Sequence, residues 1–185
     1  MSIYFLRHIK TTANLEDRIS GCAEFNILAD QTITINTKLP VYFDTVFCSP
    51  LTRCQSTISL LPNDWYGNVV YSECLVERNM GILEGMKKQD ATIQYPTLFF
   101  EGKVDVNAQI PNGETLFNVA TRLTPLSEHL KFSSESKNIL ICSHNQTLKV
   151  LFSLLKNIAL DNAYWKRVNF KNGTLINIAD IIDIN

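Results

Sequence analysis

The sequence predicts an α/β fold: a three-layer α/β/α sandwich on a mostly parallel central sheet, with an antiparallel hairpin at one edge. Short apolar runs at residues 3–6, 45–48, 68–71 and 138–142 lack strict polar alternation, the pattern of parallel strands covered on both faces. They are interspersed with stretches whose apolar residues recur at helical spacing, the order that a parallel sheet with crossover helices requires. Asn172-Gly173, set between the runs 168–170 and 174–176, is a two-residue hairpin signal.

In chain order, strand 3–6 is closed by Arg7-His8. Strand 45–48 runs into Ser49-Pro50, a turn that opens a helix with Arg53 near its start. After strand 68–71, a glycine-punctuated loop at residues 75–85 carries Glu77, Arg78 and Glu84. Residues 113–132 place Leu116, Val119, Ala120 and Leu123 at helical spacing, with Pro125 as a kink or break. Strand 138–142 is followed by Ser143-His144, and residues 146–156 are amphipathic through Leu148, Leu151, Phe152 and Leu155. No repeat, low-complexity tract or linker interrupts this pattern, so residues 1–185 read as one domain.

Composition narrows the function. The 185 residues balance 17 basic against 18 acidic side chains, which supplies no field for general nucleic-acid or membrane binding. No apolar stretch approaches the ~20 residues of a membrane span, and Met1-Ser2 leads directly into a core strand rather than a signal peptide. A cytoplasmic location is expected, and a homodimer stays open. The five cysteines are odd in number and have no C-x-x-C spacing. Cys48 and Cys142 fall in strands, where a thiol acts as a small hydrophobe, so reduced thiols are expected. With three histidines and no zinc motif, neither a metal nor a cofactor is expected.

If the strands are parallel, their carboxyl ends collect two histidines, at least two arginines and a glutamate in one crevice. Such a cluster suits a phosphate. A planar guanidinium binds phosphate oxygens bidentately and stays charged, which gives Arg7 and Arg53 their role. A neutral imidazole is a competent nucleophile toward phosphorus, and His8 is that candidate. Glu77 is the candidate general acid, then general base.

The motifs also resemble a known family. Arg7-His8-Ile9-Lys10-Thr11 resembles R-H-G-x-T, with Asn14 where many members carry Asn. The run from Ser49-Pro50-Leu51-Thr52-Arg53 to Gln55-Ser56-Thr57 resembles S-P-L-x-R-x-x-Q-T. The loop from Leu75 through Glu77 to Gly85 resembles L-x-E-x-x-x-G-x-x-E-G, Pro111-Asn112-Gly113-Glu114-Thr115 resembles P-x-G-E-S, and Ser143-His144 begins S-H-G-G. In this order and over most of the chain, they resemble the histidine phosphatase superfamily, in its phosphoglycerate-mutase-like branch. The resemblance implies a phosphohistidine on His8 and a phosphate hydrogen bond from His144. It tips Asn14 toward the phosphate pocket. Arg78 is near substrate in mutase-like members, with a surface salt bridge as the alternative. Glu114 is either substrate-binding or a first-turn carboxylate facing a helix dipole.

The departures are Ile9 for a glycine, Lys10 for a common glutamate, Asn145 and Gln146 for two glycines, and Lys149 for a common arginine. Ile9 cannot comfortably adopt the positive φ open to glycine. Family members read the organic part of the substrate with segments corresponding to residues 13–37 and 86–110. There Tyr95, Phe99, Phe100 and Lys103 are either pocket or packing residues. Lys87 and Lys88 are expected to face solvent, and His129 to be a solvated helix residue. The leading expectation is a metal-independent phosphatase of small phosphomonoesters. A mutase, or a weakly active phosphate-binding regulatory module, is the alternative. The short segment 86–110 favours the phosphatase.

Overall fold

A computed structural model describes residues 2–132 and 137–181. Its main sheet contains β1 (Ser2–Arg7), β2 (Thr34–Ile35), β3 (Phe43–Cys48), β4 (Tyr66–Tyr71), β7 (Asn138–Ser143) and β8 (Thr174–Asn177), while β5 (Phe99–Phe100) and β6 (Lys103–Val104) form a separate ribbon. The order across the sheet is β2-β8-β1-β7-β3-β4, and only the β8–β1 pair is antiparallel.

Alternation within each strand sorts its residues between two cores. Ile3 and Phe5 of β1, with Ile139 and Ile141 of β7, face α4 (Leu116–Phe132), α5 (Asn145–Lys156) and α6 (Asn162–Arg167). Tyr4 and Leu6, with Leu140 and Cys142, face Cys54 and Ile58 of α2 (Thr52–Ile58), the helix that follows the short α1 (Thr12–Leu15). Neither face of the central strands meets water, which is why their sequence lacks polar alternation. Each large apolar side chain buried this way contributes about 1.5–3 kcal/mol, so truncating Phe5 or Leu140 would break the sandwich at its centre. A third apolar cluster, with Ile19, Met80, Leu83, Ala91 and Ile110, ties α3 (Lys88–Gln94) and the ribbon to the loops.

Two expectations change. The Asn172-Gly173 turn forms, with Gly173 at φ +62°, but residues 168–170 are not a strand. Their backbone is engaged elsewhere: Phe170 N–H donates to Asn145 Oδ1 (3.0 Å) and its carbonyl accepts from Arg7 Nη1 (2.7 Å). After the turn, β8 pairs with β1 and with β2, which forms the edge in place of a hairpin arm. Pro125 does not break α4, which runs through it. No helix among the described residues is long and apolar enough to cross a membrane.

Candidate active site

Register brings the strand ends together. Arg7 pairs with Ser143 and Cys48 with Cys142, so the chain leaves β1, β7 and β3 at one edge. The next residues keep this alignment, with His8 N–H bonded to Ser143 O (3.0 Å) and Ser49 N–H to Cys142 O (2.9 Å). A cavity of about 540 Å³ opens there, lined by Arg7, His8, Asn14, Arg53 and Glu77 among others.

His8 is buried, and its Nδ1 lies 2.5 Å from the Ile9 carbonyl. A carbonyl can only accept, so Nδ1 carries the proton and the Nε2 lone pair stays available. Burial, then the charges of Arg7 and Arg53, push the imidazole well below its usual pKa, which keeps it neutral at pH 7. Ile9 is not among the positive-φ residues, so replacing glycine stores no strain there; its N–H donates to Thr57 Oγ1 (2.9 Å). Arg7 is lowered by burial only to about 10 and stays charged. Its Nη1 is held by Phe170, while its buried Nε–H has no partner among the described residues and is left for a ligand.

Arg53 is held on three sides. Its Nη2 donates to Gly21 O (2.7 Å), Nη1 to Ala23 O (2.9 Å) and Nε to His144 Nδ1 (3.1 Å). Gly21 sits at φ +51° against Glu84, so closely that a Cβ would lie 2.0 Å from Oε1. Glu84 Oε1 accepts from Cys22 N–H (2.8 Å) and Met80 N–H (3.0 Å), which anchors this turn rather than serving the cavity.

His144 departs from expectation. It is fully buried, does not line the cavity, and uses both ring nitrogens on protein groups: Nδ1 accepts from Arg53 and Nε2 lies 2.8 Å from Ser49 Oγ. Its ring stands behind that of His8, centroids 5.1 Å apart. In this arrangement it orients Arg53 and packs on His8, and no ring N–H is left for phosphate. Burial, then Arg53, hold it well below its ordinary pKa.

Glu77 reaches the cavity at the start of α5. Oε1 accepts from Arg78 N–H (3.0 Å), Thr147 N–H (3.1 Å) and Thr147 Oγ1 (3.1 Å). Oε2 has only Gln146 N–H at 3.3 Å and is the oxygen able to exchange a proton. The loop carrying it is clamped from behind: Arg122 donates to Val76 O (3.0 Å) and Glu77 O (3.3 Å) while bound to Glu114. Gly81, at φ +49°, meshes with Pro111 so tightly that a Cβ would lie 2.1 Å from its carbonyl oxygen, which brings Glu114 Oε2 to Asn79 N–H (2.9 Å).

Arg78 and Glu114 therefore do not line the cavity. Arg78 is not in a surface salt bridge: it is fully buried, with Nε donating to Glu114 O (2.7 Å), Nη2 to Ala108 O (3.1 Å) and Nη1 without a partner among the described residues. Burial lowers it to about 10. Asn14 does line the cavity, with Oδ1 accepting from Thr11 N–H (3.0 Å). His129 is exposed, edge-on to Phe47. Lys87 and Lys88 are exposed, as expected, and Lys88, paired with Asp17, also borders the cavity. Among the aromatic candidates, Phe99 lines it while Tyr95 packs in the third cluster.

Lining residues for which the sequence suggested no site role include Trp165, Asn169 and Asn172, and Gln146 and Lys149, marked only as departures from the family pattern, join them. Gln146 Oε1 is buried without a partner among the described residues. Lys149 Nζ donates to Trp165 O (2.8 Å), sits 4.6 Å from the centre of that ring, and is lowered by burial, then by Lys103, to about 7. The helical spacing of Gln146 and Lys149 on α5 was a weak signal, since the same helix is buried on most sides.

Comparison with known proteins bears on the family and the fold. The sequence profile of the histidine phosphatase superfamily (branch 1) matches residues 3–180. A 2,3-bisphosphoglycerate-dependent phosphoglycerate mutase of Cytophaga hutchinsonii is 30% identical over 126 residues, 65% of this chain and 59% of the mutase, so the alignment spans under two thirds of that relative. The alpha-ribazole phosphatase of Shigella flexneri superposes with a TM-score of 0.72 at 23% identity, covering 95% of this chain and 88% of that one. A mycobacterial glucosyl-3-phosphoglycerate phosphatase gives 0.72 at 18% identity, covering 94% and 90%. These two likenesses show the fold, and the profile match across nearly the whole chain decides the family: the protein belongs to the histidine phosphatase superfamily.

Proposed function

We propose that the protein is a phosphomonoesterase that hydrolyses a small phosphorylated metabolite through a phosphohistidine on His8. The observation that carries this reading is the neutral His8 ring, pinned through Nδ1 to Ile9 O with Nε2 left over, between two arginines. Nε2 attacks phosphorus and the ester P–O bond breaks, while Arg7 and Arg53 balance charge on the equatorial oxygens. Glu77 Oε2 gives its proton to the leaving oxygen. It then takes one from water, which attacks phosphorus, breaks the N–P bond and frees inorganic phosphate. Asn14 lies beside this phosphate and His144 holds Arg53 in place.

Lys10, Gly102 and Lys103 line the cavity and are exposed, so the cavity opens to solvent. A mutase must keep water out while its substrate reorients, and this access favours hydrolysis. Among the described residues Glu77 is the one carboxylate lining a cavity rich in cations, a donor set that repels a divalent metal. The test is a phosphomonoester panel with chelator present. Inorganic phosphate should be released from at least one compound, and 3-phosphoglycerate with a bisphosphoglycerate primer should give no 2-phosphoglycerate. Isomerisation without phosphate release, or a strict divalent-metal requirement, overturns the reading.

A further inference from the structure

Away from His8, the cavity holds two lysines in an unusual setting. Lys149, on α5, is almost fully buried, and Lys103, on β6, is exposed. Both line the cavity, and both donate to neighbouring carbonyls at the end of α6: Lys149 Nζ to Trp165 O and Lys103 Nζ to Lys166 O (3.2 Å). No carboxylate forms an ion pair with either among the described residues. By contrast, Arg18 and Lys88 on the same cavity are paired with Glu16 and Asp17. An ammonium has three donors, and one hydrogen bond each within the protein leaves both lysines with N–H groups to spare.

Resting on the hydrolase reading, we propose that Lys103 and Lys149 form a second anion subsite, and that the substrate is a phosphomonoester whose organic part carries another anionic group, a carboxylate or second phosphate. An anion placed between the two ammoniums relieves their mutual repulsion and uses their spare donors. Burial, then the charge of Lys103, lower the Lys149 ammonium to about 7, in the direction such repulsion requires. Trp165 and Phe99 supply apolar wall beside the lysines, which suits a short carbon chain between the two anionic ends.

The test compares three matched series: ω-phosphonooxy carboxylates of increasing chain length, alkyl phosphates of the same lengths, and the corresponding alkanediol bisphosphates. At one length, a carboxylate or bisphosphate should exceed the alkyl phosphate in kcat/KM by about tenfold or more, as a charge-assisted hydrogen bond implies. Which series leads identifies the anion. Lys103→Met, at an exposed position that folding tolerates, and Lys149→Met should each bring the ratio toward one, with Lys149→Arg retaining it. Equal kcat/KM across the series, or a ratio unmoved in both Met variants, overturns the subsite. If no compound releases phosphate, the hydrolase reading fails, and calorimetric affinities of His8→Ala for the same compounds decide the subsite by the same ratio.

Discussion

At the sheet end of the cavity, Arg7, His8 and Arg53 hang from a strand terminus and the start of α2, on backbone locked into the parallel ladder and with side chains already held by protein carbonyls or ring nitrogens. Elsewhere around the cavity, Phe99, Gly102, Lys103 and Val104 come from a ribbon with two residues per strand, where the buried Lys149 and Trp165 meet them from core helices. The first end is preorganised because moving any member would break ladder bonds or leave a buried polar group unpaired. The ribbon can vary in sequence at small cost to the fold. Under the proposed function, chemistry is thus built on the core, and selection of the organic group largely on an appendage.

The largest expected effect is at the rigid end. His8→Ala should lower turnover on the order of 10⁴-fold or more and abolish the acid-labile, base-stable adduct trapped by rapid quench. Normal turnover in the variant would remove the contrast. Because burial and the two arginines depress His8, the neutral nucleophile persists as pH falls, and the acid limb of kcat/KM should lie below pH 6.5.

Next comes Glu77→Gln, which should cost ~10²- to 10⁴-fold on alkyl phosphates but far less on p-nitrophenyl phosphate, whose leaving group scarcely needs a proton. Equal losses on both substrates would take the acid role from Glu77. Glu84 and Glu114 are poor replacements, since both carboxylates are tied to backbone amides or Arg122 away from the cavity.

The lysine pair should respond more modestly. Lys149 titrates near pH 7, facing Lys103 from the ribbon, Arg7 from β1 and Glu77 from its loop. An anionic substrate binds the charged form, so its KM should rise with pH above about 7, by at most tenfold per unit, and Lys149→Met should flatten that rise. The profile for an alkyl phosphate supplies the control for titration of the phosphate itself.

Smallest for catalysis, and chiefly a matter of stability, is Arg78→Met. The loss of two charge-assisted bonds to Glu114 O and Ala108 O should lower unfolding free energy by roughly 1–3 kcal/mol in urea titration, with KM unchanged. A large KM change would return Arg78 to the substrate.

Arg53 and Arg78 show where reading the sequence succeeds and stops. Both sit in family-like motifs and both are buried, yet one lines the cavity and the other braces a loop. Arg53 was legible because it follows a strand at the carboxyl edge, where local periodicity fixes direction. Arg78 lies in an irregular loop, and its course depends on Gly81 meshing with Pro111. The departures at Ile9 and Asn145 likewise acquire meaning from distant contacts: Ile9 meets Thr57, and Asn145 holds the Phe170 backbone that in turn holds Arg7.

The sequence by itself determined the α/β class, the parallel strands, the edge at which Arg7, His8 and Arg53 meet, and the presence of Glu77 in the loop beyond. These follow from apolar periodicity and from residues adjacent to it in the chain, which are local properties. Only the tertiary structure decided that His144 backs Arg53 instead of facing the cavity, that residues 168–170 serve Arg7 and Asn145 instead of a hairpin, and that Lys149 joins Lys103. Each of these depends on which polar group finds a partner once water is removed, and that choice is settled among residues far apart in sequence.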